Sequence, residues 1–449
     1  MRTLLIITAG ALALGGCASF SGGGQPVSSA QLAPTGTIAW TYDLGDPGFA
    51  AYLRSADLGS LDVKSALARA KAADAALRAA RSEGWPELTL SGGAGRSIPG
   101  EGASRGAADL DLVGRWTIDL WGEVRAATGA ARADAEAAKL DVEAARAILA
   151  MEAARSWLAL AAIEDRLGRL DSRRTMEAEG LALVERRIAA GRASKDEALE
   201  RRANLARIED EHHAALGERL IARQRLIALA GPSSEPFAAG PMPLYDLAPF
   251  APDGLSSTDL EKRPDVAAAA ARLEAADARR LAVIRAARPK LSLGAALRGQ
   301  EDSLSGLLER RSLTLTPGVR IEGAMFDGGR AGARADKAAA EAADAEVSYL
   351  KAIITAESDL AAALALGAAA RARQTPAGEA VSLARQRLQL AQSRLTAGTA
   401  ARLDAIDAER ALVDARDAEA SARRALIDAS ILAQAAILGG RSADASPTL

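Results

Sequence analysis

Aromatic side chains make up only 3% of this sequence although apolar residues reach 49%, so alanine carries much of the apolar content. Alanine is the strongest helix former but buries little area per residue, which argues against one thick globular core and for long, closely spaced helices. A basic surplus is also missing: the formal net charge is −2 with 25% charged residues, too balanced to neutralise a phosphate backbone, so no nucleic acid is expected as a partner. Histidine is confined to His212 and His213. As neighbours they stand about 100° apart around a helix and do not form a metal pair at i,i+4 spacing. No glycine-rich phosphate loop and no His or Cys set for nucleophilic catalysis is present, since Gly22-Gly23-Gly24 belongs to what reads as a tether. Neither an enzyme nor a cofactor or metal is expected. Disulfides are excluded as well, because Cys17 has no second cysteine to pair with.

The position of Cys17 is informative. Arg2 supplies a positive start, Leu4 to Leu14 an apolar stretch, and Gly15-Gly16 small residues before the thiol. The stretch is too short to span a membrane and reads as a signal peptide over 1–16. Leu14-Gly15-Gly16-Cys17 resembles a bacterial lipobox, which implies lipidation of Cys17, and several acyl chains on one residue suffice for stable anchoring. Alanine rather than aspartate at Ala18 resembles enterobacterial lipoproteins of the outer membrane.

The chain reads as one unit written twice. Residues 61–90 align without a gap onto 264–293, and beyond the cheap alanine matches this pairs Asp62 with Asp265, Arg69 with Arg272, Asp74 with Asp277 and Pro86 with Pro289. Arg187 and Gly191 recur later as Arg394 and Gly398, with order kept. Each copy opens with an alanine-rich helix, about 58–83 and 261–287, which a proline ends. Two strands follow, about 87–97 and 108–120 in the first copy and 290–300 and 312–324 in the second. Leu110, Leu112, Trp116, Ile118 and Leu120 alternate with Asp109, Asp111, Arg115, Thr117 and Asp119; Leu313, Leu315, Val319 and Ile321 alternate with Ser312, Thr314, Thr316, Arg320 and Glu322. A soluble half-buried sheet alternates too. The strand length, the aliphatic face ending near Trp85, Trp116 and Trp121, and the charged opposite face favour membrane strands. Four strands cannot close a barrel, so such a chain must oligomerise.

A very long helical stretch comes next, about 123–190 and 330–396, with Gly168 and Gly180 as candidate breaks in the first. After the turns at Gly191 and Gly398 a helix returns, about 194–229 and 401–438. The expected organisation is a signal peptide over 1–16, a lipid-anchored tether over 17–57, a first repeat over 58–230, a connector over 231–257, a second repeat over 258–440 and a tail over 441–449. The fold class is mainly α with a pair of membrane β-hairpins, in two tandem repeats of helix, hairpin, long helix and helix.

These residues resemble the TolC-type outer-membrane factors, in the lipidated branch of NodT- and OprM-like efflux lipoproteins. The match is carried by Glu261-Lys262-Arg263-Pro264-Asp265-Val266 before the second hairpin, by Ile118-Asp119-Leu120-Trp121-Gly122 after the first, and by Phe326-Asp327-Gly328-Gly329-Arg330 after the second. The resemblance implies a homotrimer, with a twelve-stranded β-barrel continued by a twelve-helix tunnel across the periplasm. It also implies outer-membrane lipid, a periplasmic adaptor (membrane fusion protein) and an inner-membrane efflux pump as partners. The function so implied is the exit duct of a tripartite efflux system, anchored in the outer membrane with most of the chain in the periplasm and passively conducting drugs, toxic solutes or metal ions. Two alternatives stay open: the duct of a type I protein secretion system, and a periplasmic coiled-coil scaffold lipoprotein.

Gly191 and Gly398 are then the adaptor-contact tips. Asp404 and Asp407, at i and i+3 on one helix face, match the paired aspartates that ring the periplasmic constriction of TolC-type ducts, and Glu197 and Glu200 hold the equivalent places after Gly191. Taken alone, these carboxylates also fit a solvated acidic face near a helix start. The chain departs from some members beside the second tip, where Leu395 and Ala400 replace a tyrosine and an arginine.

Overall fold

The computed structural model describes residues 44–97, 105–232, 240–248, 257–301 and 313–437. Ten elements follow one another as two similar successions of five. The first runs α2 (Leu61–Ser82), β1 (Glu87–Ser97), β2 (Arg105–Ile118), α3 (Glu123–Ala189) and α4 (Lys195–Ala230). The second runs α5 (Pro264–Ala286), β3 (Lys290–Glu301), β4 (Leu313–Glu322), α6 (Arg330–Thr396) and α7 (Arg402–Ile437). An additional helix, α1 (Pro47–Gly59), precedes them, and Ser257–Lys262 forms a short 3-10 turn before α5. α3 and α6 each have 67 residues, roughly 100 Å of helix. α3 runs unbroken through Gly168 and Gly180, so neither glycine is the break the sequence suggested. α6 likewise continues through Pro376.

The helices lie as four rows. α3 is flanked by α4 and α2 on one side and by α7 and α5 on the other, and α6 packs beyond α7 and α5. Each flanking row is two helices stacked end to end. α4 finishes where α2 begins, so closely that a Cβ on Gly59 would lie 1.9 Å from the Ala230 carbonyl oxygen and one on Gly231 2.3 Å from that of Gly59. Only glycine fits both sides of that joint. α7 finishes where α5 begins, and there the Arg263 guanidinium donates to the Ala436 carbonyl at 3.3 Å. Pro264 starts α5 at a position where a missing N–H costs nothing.

Alanine lines most seams between rows, as at Ala153, Ala154, Ala161, Ala356, Ala363 and Ala370. Small side chains allow close approach but give little register, which the ion pairs supply. Arg272 and Arg279 on α5 meet Asp141 and Asp134 on α3, while Arg155, Arg169 and Arg173 on α3 meet Asp428, Asp417 and Asp414 on α7. Each exposed pair is worth little alone; spaced along antiparallel helices they mark one alignment.

An aromatic part of the core involves segments the sequence reading expected to be linkers. Phe49, Tyr52 and Trp157 stack with ring centroids 5.7 and 5.5 Å from the indole. Asp46 caps α1 through Gly48 N at 2.8 Å, and its other oxygen accepts from Trp157 Nε1 at 2.8 Å and Met242 N at 3.0 Å. The Tyr52 hydroxyl donates to the Leu226 carbonyl at 2.7 Å. The expected tether over 17–57 is therefore helical core in its described part, and 240–248 of the expected connector is bound to it through Asp46 and the buried Leu244 and Leu247.

The four strands form one antiparallel sheet in the order β1-β2-β3-β4. Its register aligns the apolar face: Leu90, Leu112, Leu297 and Leu315 stand in one row across all four strands, and Ile118, Leu291 and Ile321 in another. The opposite face carries Ser91, Asp111, Arg298 and Thr314 in the adjacent row. Among the described residues nothing covers the apolar face: Leu88, Leu90, Leu315, Val319 and Ile321 are all more than half exposed. At the helix end of the sheet the Trp116 and Trp121 indoles donate to the Gly84 and Pro289 carbonyls at 3.0 and 2.7 Å.

Candidate functional site at the helical tips

The α3–α4 and α6–α7 turns are built alike. Gly191 (φ +70°) and Gly398 (φ +71°) follow the last helical turn in the left-handed region. Arg192 N donates to the Arg187 carbonyl at 2.8 Å and Gly191 N to that of Ile188 at 2.9 Å; Thr399 N and Gly398 N repeat this with Arg394 and Leu395 at 2.9 and 3.0 Å. Both are Schellman closures, which need a residue able to take positive φ. A Cβ at either glycine would meet no neighbour within 4 Å, so the backbone conformation, and not crowding, selects glycine.

The four sequence-nominated carboxylates have four different settings. Glu197 N donates to Ser194 Oγ, the N-cap of α4, at 3.3 Å, and the Glu197 carboxylate pairs with Arg187 at 3.4 Å. Glu200 is exposed and has no ion pair among the described residues. Asp404 is exposed at the start of α7, where its carboxylate accepts from Ala401 N at 2.9 Å. Asp407 is turned toward α4 and accepts from Arg201 Nη2 at 3.0 Å. His212 meets Asp171 at 3.5 Å and His213 only its neighbour's ring, so they form no joint site.

Arg201 is the residue sequence reasoning missed. It is 8% exposed and reaches both Asp407 on α7 and Glu177 on α3, at 3.0 and 3.4 Å, with Glu177 only 2% exposed. Gly180 makes room for it, because a Cβ there would lie 2.7 Å from Arg201 Nη1. A second tie runs from Arg402 on α7 to Glu179 on α3 through two bonds of 2.8 and 3.0 Å, with a third to Glu409 at 3.0 Å. Hydrogen bonding from Arg402 holds the Glu179 carboxyl below its usual range, and the two glutamates hold the Arg402 guanidinium above its own. Both ties cross from one hairpin to the other near the tips. The available signal was the break in the repeat: in the register that pairs Gly191 with Gly398, Arg201 falls opposite Ala408 and Arg402 opposite Lys195. Cys17 lies outside the described residues.

Comparison with known proteins places this arrangement. The profile of the family described as outer membrane efflux protein matches residues 53–232 and 255–439. The pyoverdine export outer membrane protein OpmQ of Pseudomonas putida is 29% identical over 437 residues, covering 94% of this chain and 91% of OpmQ. Among solved structures, the outer-membrane channel OprN superposes with a TM-score of 0.79 at 26% identity, over 90% of this chain and 93% of its own. The CmeC outer membrane channel of Campylobacter jejuni superposes with a TM-score of 0.80 at 20% identity, over 91% of this chain and 89% of CmeC, a likeness of fold.

Proposed function

Because this chain belongs to the outer membrane efflux protein family, we propose that three copies assemble into a passive exit duct fed by a periplasmic adaptor and an inner-membrane pump. The observation that carries this reading is the pair of unmatched edges. β1 and β4 pair with no further strand among the described residues, and the sheet's apolar face is bare. An open sheet edge is not tolerated in lipid, so the strands need more copies of themselves.

The helix layer has the same need at the same two edges. On α6 the exposed Val347, Leu350, Ile354, Leu383 and Leu390 lie opposite its buried Ala356, Ala363, Ala370 and Val381. On α4 the exposed Leu199, Leu220 and Ile221 lie opposite the buried Ile208, Ala215 and Leu226. α6 is also the one described helix long and apolar enough to cross a membrane by composition, and its stripe lies where an edge row would meet a neighbour. Joining the α6–β4 edge of one copy to the α4–α2–β1 edge of the next is a head-to-tail contact that closes as a ring. Three copies give twelve strands, above the eight with which membrane barrels begin.

In this reading Gly191 and Gly398 shape the tips that meet the adaptor, and Asp404, Asp407, Glu197 and Glu200 line the periplasmic constriction. Cys17 carries the lipid anchor; palmitate label that persists in Cys17→Ser would remove that assignment. The duct itself is tested with the Cys17→Ser protein, which has no acyl chains to hold it in a membrane. It should still need detergent for extraction, migrate as a trimer, and conduct ions in a planar bilayer. A monomer that stays in solution without detergent overturns the reading.

A further inference from the structure

The joint between α7 and α5 leaves a hollow that neither the ring closure nor the tips use. α7 ends at Ile437 and α5 begins at Pro264, and the surrounding alanines on α3, α6 and α7 are too short to fill the space between rows. The cavity measures about 470 Å³, within the range of small-molecule sites. Ile148 and Met151 on α3, Leu366 on α6 and Leu432 on α7 line it. Ile148 and Leu366 are 56% and 53% exposed, so these aliphatic side chains face an open space and not a core. Met151 adds a flexible, polarisable wall of the kind that accommodates varied ligands.

Orientation and charge narrow what can enter. Ile148 and Trp157 are nine positions apart on one helix, which at about 100° per residue sets them on opposite sides. Trp157 carries α1, so the hollow opens on the face without α1, the face left free to line a lumen. Three charged residues line it. Arg263 is shared between Asp265 at 2.8 Å and Asp359 at 3.3 Å, which leaves one carboxylate charge in excess. The Asp265 and Asp359 side chains are 47% and 53% exposed, so their oxygens stay open to a guest.

We propose that this hollow is a transit site for solutes with an apolar body and a single positive charge. Its use in transport rests on the duct reading, whereas its binding is measurable without it. The probe is rhodamine 6G, a planar aromatic monocation, titrated by fluorescence anisotropy against the detergent-solubilised oligomer with empty micelles as baseline. Saturable binding is expected, about fivefold weaker in Asp359→Asn and lost in Ile148→Trp, which fills the hollow, with oligomer yield unchanged. Leu366→Trp fills it from the opposite wall and should give the same loss if Ile148→Trp does not assemble. Binding no greater than to micelles overturns the site, as does unchanged binding in the filling variants, or equally tight binding of the anionic 1-anilinonaphthalene-8-sulfonate. Absent binding by an oligomer that conducts ions sinks the hollow alone; binding without conductance sinks the duct.

Discussion

Charge placed on the two faces of the sheet should have opposite consequences, and the strand register says where to place it. Leu315 ends the row that runs through Leu90, Leu112 and Leu297, and it is 65% exposed. In a membrane barrel that exposure is to lipid. Leu315→Arg should then cost ~2–4 kcal/mol per chain near the bilayer midplane, roughly 30- to 1,000-fold in the assembly equilibrium, and the cost recurs in every copy. The contrasting variant must face the lumen. Thr314 lies on the face opposite Leu315, but its cross-strand partner is Arg298, which pairs with Asp111 at 3.8 Å, so Thr314→Arg sets two cations side by side at a cost of up to ~1 kcal/mol. Thr316 is the cleaner position, because its partner is Ala296. The assay is folding into lipid vesicles, read as the heat-modifiable oligomer band on a gel. Leu315→Arg should abolish the band, Thr314→Arg weaken it slightly and Thr316→Arg leave it intact. Equal yields from Leu315→Arg and Thr316→Arg would refute the assignment of faces.

Arg201→Ala strands Glu177 as an unpaired buried charge and should destabilise the chain by ~3–5 kcal/mol, with recovery in Arg201→Met combined with Glu177→Gln; a denaturation midpoint within error of wild type for Arg201→Ala would show the pair to be idle. Gly398→Val forces a β-branched residue to positive φ at a cost of ~1–2 kcal/mol without any clash, so efflux should fall while oligomer amount does not, and unchanged drug tolerance with Gly191→Val added would contradict a working tip. Asp404→Ala with Asp407→Ala should abolish cation selectivity and block by multivalent cations in single-channel recordings, since crowded carboxylates attract cations; the same selectivity in the double variant would make these residues ordinary surface acids.

Most of the architecture was legible because it is periodic. Strand alternation fixed the faces that the register later aligned, and the repeated Arg–Ala–Gly turns marked both tips within a residue or two of Ala189 and Thr396. The family followed from motif order, and the efflux profile now covers both halves of the chain. What escaped was non-periodic. Asp46, Pro47 and Phe49 sit in a stretch whose composition resembles a linker, and their meaning depends on Trp157 and Met242, far away in sequence. Gly180 looked like a helix breaker because glycine is poor in helix interiors, but its role is to vacate volume for Arg201. Gly59 and Gly231 gave no signal individually, since the contact that demands them joins two chain segments.

The same contrast makes the two helical tips unequal. If the halves were equivalent, the tips at Gly191 and Gly398 would be held alike. They are not. Asp407 and Arg402, both on α7, are tied to the first hairpin through Arg201, Glu177 and Glu179, whereas Glu200, the counterpart of Asp407, has no ion pair among the described residues. Arg201 also differs from an exposed latch. Its Glu177 partner is buried, so pulling α7 away exchanges the Arg201–Asp407 and Arg402–Glu179 contacts, both partly exposed, for water and leaves the buried contact in place. Separation of α7 from the first hairpin therefore breaks only partly exposed pairs, while separation of α3 from α4 at Glu177 breaks a buried one. Motion of the second hairpin against the first is the displacement this ion network permits, and the asymmetry rests on positions where the repeat departs from itself, among them Arg201 against Ala408.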